Sequence, residues 1–250
     1  MRAAKPADLS VAGLVDCGAA GVFTERSMIL RSNLPKLREF GGRSARVLDA
    51  GGWYRPFNLA THVIDLNPYE SRRVDDALDP EDDERFTADT WIVQDVCNSP
   101  WPFPDKTFDF IVCSHLLEDV RDPITVCREL CRVGKAGYIE TPSRIREIFS
   151  KEKHFFAKYL LGNFPEIGFH HHRWFVEIEG THLRFTAKTA ALPANRRYYI
   201  TRGDIGRNLT EQESGLGFFW HGGFTFGEVF VDHGEDYPAF RHKAIARLKS

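Results

Sequence analysis

Three aspartates stand where successive apolar runs stop. Arg46-Val47-Leu48-Asp49 leads into Ala50-Gly51-Gly52, His62-Val63-Ile64 ends on Asp65 with Leu66 beside it, and Thr90 to Gln94 ends on Asp95 with Val96 next. Read as strands, these runs bring their carboxyl ends to one edge of an open α/β sheet, where such sheets bind ligands. The chemistry available there is that of holding an adenosine-type group. A glycine turn admits close backbone approach, and a carboxylate accepts hydrogen bonds from ribose hydroxyls. For Asp49-Ala50-Gly51-Gly52 alone, a ligand-free strand and turn is an equal reading. Three acids in series beside that turn favour a binding site.

The elements that must position these residues alternate along the chain. Phe108 to Cys113 is apolar apart from Asp109 and suits a central strand buried on both faces. Ser114 and His115 follow it. Asp122-Pro123 opens a helix, with the acid as cap and proline in the first turn. On that helix Ile124, Cys127, Leu130 and Cys131 share one face, while Arg128, Glu129 and Arg132 point away. Gly134 ends it, and Gly137 to Glu140 is the next strand. Such alternation marks a mostly parallel sheet. Residues 1–42 read as an N-terminal helical cap, with a helix over Ser27 to Phe40, and residues 43–250 as the main domain. Asp75 to Arg85 is an acidic surface loop. Residues 144–173 are aromatic and basic, an insertion that would elaborate a substrate site. Trp174 to Ile178 and His182 to Phe185 form a hairpin around Gly180. Phe218 to Trp220 and Phe226 to Val231 read as the last antiparallel strands of the sheet, and Pro238 to Lys249 as a terminal helix.

Bulk properties narrow the function classes. A net charge of -2 provides no global field to recruit nucleic acid. No run reaches the roughly 18 apolar residues of a membrane span, and Asp8 and Asp16 interrupt the N-terminal stretch, so neither a membrane association nor a signal peptide is expected. The cysteines (Cys17, Cys97, Cys113, Cys127, Cys131) form no Cys-x-x-Cys pair, which fits reduced thiols and a cytoplasmic location.

From Asp95 onward the chain reads Trp101-Pro102-Phe103, Thr107-Phe108-Asp109, a buried strand, then Leu117-Glu118-Asp119 and Asp122-Pro123, with Gly137 to Ser143 further on. Over about residues 45–145 this set resembles the class I S-adenosylmethionine-dependent methyltransferases, closest to the type 11-like methyltransferase domain. The resemblance implies a Rossmann-like three-layer αβα sandwich with a seven-stranded, mostly parallel sheet in the order 3-2-1-4-5-7-6, and S-adenosyl-L-methionine as cofactor. It assigns Asp49, Ala50, Gly51 and Gly52 to the loop under the methionine moiety, and Asp65 with Leu66 to the ribose. Asp95 and Val96 fall to the adenine, and Ser114 and His115 to the neighbourhood of the reacting methyl group. Two departures stand out. Trp53-Tyr54-Arg55-Pro56 replaces the third glycine and the helix start, and the short spacing of Asp49 and Asp65 leaves no room for a full first helix. Arg55 either pairs with the cofactor carboxylate in place of that helix N-terminus or is a surface guanidinium. Residue 119 is an aspartate where the family has histidine. His115 is then the nearest imidazole and either acts as general base or packs locally.

Methyl transfer from an activated sulfonium needs alignment and exclusion of water rather than a metal. His170-His171-His172 is therefore not expected to hold one, since neighbours in an extended chain point to opposite faces. Lys151, Lys153, Lys158 and Arg173 surround Phe155, Phe156 and Trp174, which either form a solvated helix face or suit an anionic or glycosylated small-molecule acceptor, a sugar or glycan precursor among them, methylated on oxygen or nitrogen. Two rival readings are a non-catalytic module that binds S-adenosylmethionine or S-adenosylhomocysteine, and a nicotinamide-dependent oxidoreductase. The missing third glycine argues against the second.

Overall fold

The computed structural model describes residues 29–42, 44–53, 55–72, 84–152 and 166–250. Most of the N-terminal cap expected over 1–42, most of the acidic loop at 75–85, and Lys153, Phe155, Phe156 and Lys158 lie outside the described residues. Helix α1 (Leu34–Phe40) precedes four strands: β1 (Val47–Ala50), β2 (His62–Asp65), β3 (Trp91–Val93) and β4 (Phe110–Ser114). Helix α2 (Pro123–Val133) then leads to β5 (Ala136–Pro142). Beyond lie α3 (Arg144–Glu147), β6 (Phe149–Ser150), β7 (Trp174–Glu179), β8 (His182–Ala187), β9 (Ile200–Thr201), β10 (Gly215–His221) and β11 (Thr225–Glu228). A long helix, His233–Lys249, closes the chain.

The main sheet has six strands in the order β10-β5-β4-β1-β2-β3. The first five strands pair in parallel, and β10 runs antiparallel along β5. The 3-2-1-4-5 order expected from the sequence is therefore present. No seventh strand joins among the described residues. β11, expected to extend this sheet, instead pairs in parallel with β8 and forms a second sheet, β11-β8-β7. The β7–β8 hairpin turns at Gly180, whose positive φ of 62° a glycine adopts freely.

β1 and β4 are buried along their whole length, as strands covered on both faces must be. Alternate residues feed two cores. Val47, Val63, Phe110 and Val112 pack with Leu37 of α1 and with Phe57, Phe86 and Trp91. Leu48, Ile64, Ile111 and Cys113 pack with Val126, Cys127 and Leu130 of α2, and with Val176, Leu183 and Phe185 of the second sheet. One outer layer is thus part helix and part β. No helix lies in the described residues between β1 and β2, as the short spacing predicts.

The Asp122 carboxylate caps α2 by accepting from the Thr125 N–H at 2.9 Å, with Pro123 in the first turn. Glu129 departs from the helical reading. It is 4% exposed rather than turned to solvent, because residues 99–103 fold over it. Its carboxylate accepts from the Trp101 N–H at 2.8 Å and the Ser99 hydroxyl at 2.9 Å, and pairs with Arg132 at 2.5 Å. A third core gathers Phe149, Phe175, Tyr199 and Ile200 against Tyr237 and Leu248 of the terminal helix.

Candidate functional site

A cavity of about 690 Å³ opens at the carboxyl ends of β1, β2, β3 and β4. That volume falls within the ~300–1,000 Å³ typical of cofactor sites. Of the residues singled out from sequence, Gly51, Asp65, Leu66, Asp95, Val96 and His115 line it. Asp49, Gly52, Arg55 and Ser114 do not. They surround a void of only about 10 Å³ beneath, with Ile29 and Phe57. Ala50 is fully buried in β1. Two of the three serial acids therefore reach the rim, and the third sits under it.

Asp49 is 3% exposed and accepts the Phe57 N–H at 2.7 Å, which ties the glycine turn to the following loop. Burial, with a smaller push from the nearby Asp65 charge, lifts its carboxyl to about 7 against the pull of that bond. Gly51 has φ +82°, and a Cβ there would sit 2.6 Å from a Leu116 methyl. At Gly52 a Cβ would meet the Asp49 carboxylate at 2.4 Å. These glycines let the turn close on its own neighbours, and the first then forms part of the cavity wall. Arg55, whether read as a surface group or as a carboxylate partner, is buried beneath that wall.

Asp65 terminates β2 at 6% exposure. One carboxylate oxygen accepts from the Asn67 N–H at 2.8 Å, the other from the Trp53 N–H at 3.2 Å. Burial raises its pKa, and the Asn67 and Trp53 hydrogen bonds oppose the rise. The Asn67 side-chain amide also donates to the first oxygen, at 3.2 Å, so three of a carboxylate's about four acceptor positions are taken and what capacity remains is on the second oxygen. Asp95 accepts from the Cys97 N–H at 2.9 Å and pairs with Arg121. The Arg121 guanidinium holds its carboxyl below the usual range. Nothing in the spacing around Arg121 points to this role.

His115 follows β4 with φ +52°, an uncommon conformation for a residue with a side chain. Its Nδ1 lies 3.2 Å from Glu118 Oε1 and its Nε2 3.7 Å from Glu140 Oε1. Burial opposes a charge on the ring, but the two carboxylates outweigh it and lift the imidazole to about 10. Glu140 is anchored in turn by the Tyr138 hydroxyl and the Leu30 N–H.

The cavity roof comes from residues 169–173, which the sequence marked only as a histidine cluster. The chain turns there instead of extending. The His172 N–H donates to the Phe169 carbonyl at 3.3 Å, and Gly168 has φ +55° with no room for a Cβ against the Glu147 carbonyl. As a result His171 and His172 bring their rings to 4.5 Å, and both line the cavity with Asp119. His172 Nδ1 bonds Glu147 at 2.5 Å, and Lys188 Nζ bonds the other Glu147 oxygen at 2.6 Å. Those two partners hold the Glu147 carboxyl low despite burial, which alone would raise it. A second cavity of about 910 Å³ shares His171, His172 and Arg173 with the first and is lined further by Arg146, Lys151 and Lys188.

A six-stranded, mostly parallel sheet, with Asp65 at the end of β2 and Asp95 just past β3 on a cavity at its carboxyl edge, defines a Rossmann-like fold. Residues 41–139 match the model of the methyltransferase domain family, to which this part of the chain is similar. Solved structures similar to the chain include the YcgJ protein of Bacillus subtilis, at 21% identity over 45% of this chain and 51% of that one, with TM-score 0.31. An S-adenosylmethionine-dependent methyltransferase of Mesorhizobium loti is 18% identical over 48% and 58%, TM-score 0.34. Phosphoethanolamine N-methyltransferase 2 of Haemonchus contortus, in complex with S-adenosyl-L-methionine, is 20% identical over 52% and 31%, TM-score 0.32. The aligned part of the chain spans about half the length of the first of these structures, and less of the last. No curated protein matches the chain. Among the described residues, no helix is long and apolar enough to cross a membrane.

Proposed function

We propose that this protein transfers a methyl group from S-adenosylmethionine, bound in the cavity at the sheet's carboxyl edge, to an oxygen or nitrogen of a small molecule. The observation that carries this reading is the convergence of Gly51, Asp65, Asp95 and His115, from the ends of four strands, on one cavity of about 690 Å³. The donor set fits the adenosyl group. Asp65 at the end of β2 stands at the ribose position, with its second oxygen the less occupied, and Asp95 with Val96 stands at the adenine position. The cofactor supplies an already activated methyl group, so the protein's task is alignment and exclusion of water. His115 contributes charge and position rather than basicity, because an imidazolium held by two carboxylates has no lone pair with which to take a proton.

The acceptor enters from the second cavity. Arg146, Lys151 and Arg173 there suit an anionic or glycosylated molecule, a sugar or glycan precursor being one such class. One observation favours a second reading, a binding module without turnover. No helix follows Gly52 among the described residues, so the helix N-terminus that would face the methionine carboxylate is missing. Calorimetry with S-adenosylhomocysteine tests binding. Transfer of a labelled methyl group across a panel of anionic sugars and amines separates enzyme from module.

A further inference from the structure

We propose that Asp119, His171 and His172 form a site for a divalent transition-metal cation on the wall shared by the two cavities. One ligand atom from each of the three residues lies within 4.8 Å of the others. Two imidazoles and a carboxylate are a donor set that suits first-row transition metals, zinc included. Three protein ligands leave the rest of the coordination shell to water or to a molecule in the cavities. Around a zinc ion with bonds of ~2.0–2.1 Å, such donors sit roughly 3.3 Å apart. The exposed His171 and the partly exposed Asp119 have the freedom to close that difference by side-chain rotation.

His172 is the buried member of this cluster and is held in place from behind. Its Nδ1 is 2.5 Å from Glu147, which is 1% exposed and fixed by Lys188. With the ring proton on that bond, Nε2 presents a lone pair 3.8 Å from Asp119 Oδ1. Two acceptors facing each other on a cavity wall suit a metal ion, a proton or a donating water between them. His171 supplies the third donor. A carboxylate behind the non-ligating nitrogen is the arrangement that orients metal-binding histidines. The position has a further meaning if the methyltransferase reading holds. An acceptor oxygen spanning the two cavities would complete the ion's coordination beside the methyl donor. The site itself does not depend on that reading.

The test uses the whole chain after dialysis against a chelator, with Zn2+ followed by calorimetry and Co2+ by visible absorption. The expected result is one equivalent of either ion, with Co2+ bands of nitrogen and oxygen ligation. Asp119→Asn and His171→Ala change residues with exposed surface and should each weaken uptake more than tenfold. Glu147→Gln should weaken it about 10- to 100-fold, as loss of an orienting carboxylate does. His170→Ala should retain full uptake. Absence of stoichiometric uptake, or uptake insensitive to all three substitutions, overturns the proposal and leaves a proton or a water between His172 and Asp119. S-adenosylhomocysteine titrated into the same metal-free samples distinguishes the two ideas. Retained nucleoside binding without metal uptake sinks the metal site alone, whereas metal uptake without nucleoside binding sinks the methyltransferase reading alone.

Discussion

The buried carboxyl of Asp49 gives a quantitative test of the structure. Replacement by asparagine keeps the shape and an oxygen to accept the Phe57 N–H now bonded at 2.7 Å, but removes the titration. In the folded chain this carboxyl is pushed up to about 7, from 3.8. Between those values the native state keeps a proton that the unfolded state releases. The group's contribution to stability therefore falls as pH rises from about 4 to 7 and is level above that. At ~1.4 kcal/mol for each pH unit, the full difference is roughly 4 kcal/mol. Asp49→Asn should accordingly be more stable than the parent by up to roughly 4 kcal/mol at pH 8, with the gain shrinking toward zero near pH 4. Urea unfolding of both proteins at pH 4.5, 6 and 8 reads this directly. A stability difference that does not change with pH, or that favours the parent increasingly above pH 7, would refute a buried, protonated Asp49.

Other consequences follow from single contacts. Gly51→Ala places a Cβ 2.6 Å from Leu116 at a φ of +82° and should cost about 1–3 kcal/mol in the same unfolding assay; an unchanged midpoint would contradict the turn geometry. His115, lifted to about 10, should show no NMR titration between pH 5 and 8. Its stabilising effect is complete below about 6.5 and is lost as pH rises through 10; a titration near neutrality would break the Glu118–His115–Glu140 cluster. Arg121→Ala should let the Asp95 carboxyl titrate closer to 3.8, and an unmoved Asp95 resonance profile would show that the ion pair does not form in solution.

Much of the sheet was legible because burial on both faces writes a continuous apolar run. β1 and β4 are such runs, and each stops at a residue that reaches or underlies the cavity. The cap of α2 was legible for a local reason, since Asp122 and Thr125 meet within one turn. What failed to show was long-range. Helical periodicity turns Glu129 away from the buried face and cannot reveal that Trp101 and Ser99 lie over it. Alternation marks β11 as a strand but does not name β8 as its partner. Asp49 stands at a strand end like Asp65, yet its partner is the Phe57 N–H below the rim, so its carboxylate turns inward. The histidines at 170–172 looked divergent because an extended chain was assumed. The turn that unites two of them depends on Gly168 lying against the backbone of Glu147, which no local pattern records.

The proposed function requires nucleoside binding in the cavity at the sheet's carboxyl edge, and Asp65 is its most direct probe. Titration calorimetry of the purified chain with S-adenosylhomocysteine should give one site, with Asp65→Ala weakening it by about 10- to 100-fold, the effect of losing charged hydrogen bonds worth ~1.5–3 kcal/mol. No heat of binding to the parent protein, or equal affinity in Asp65→Ala, would contradict it.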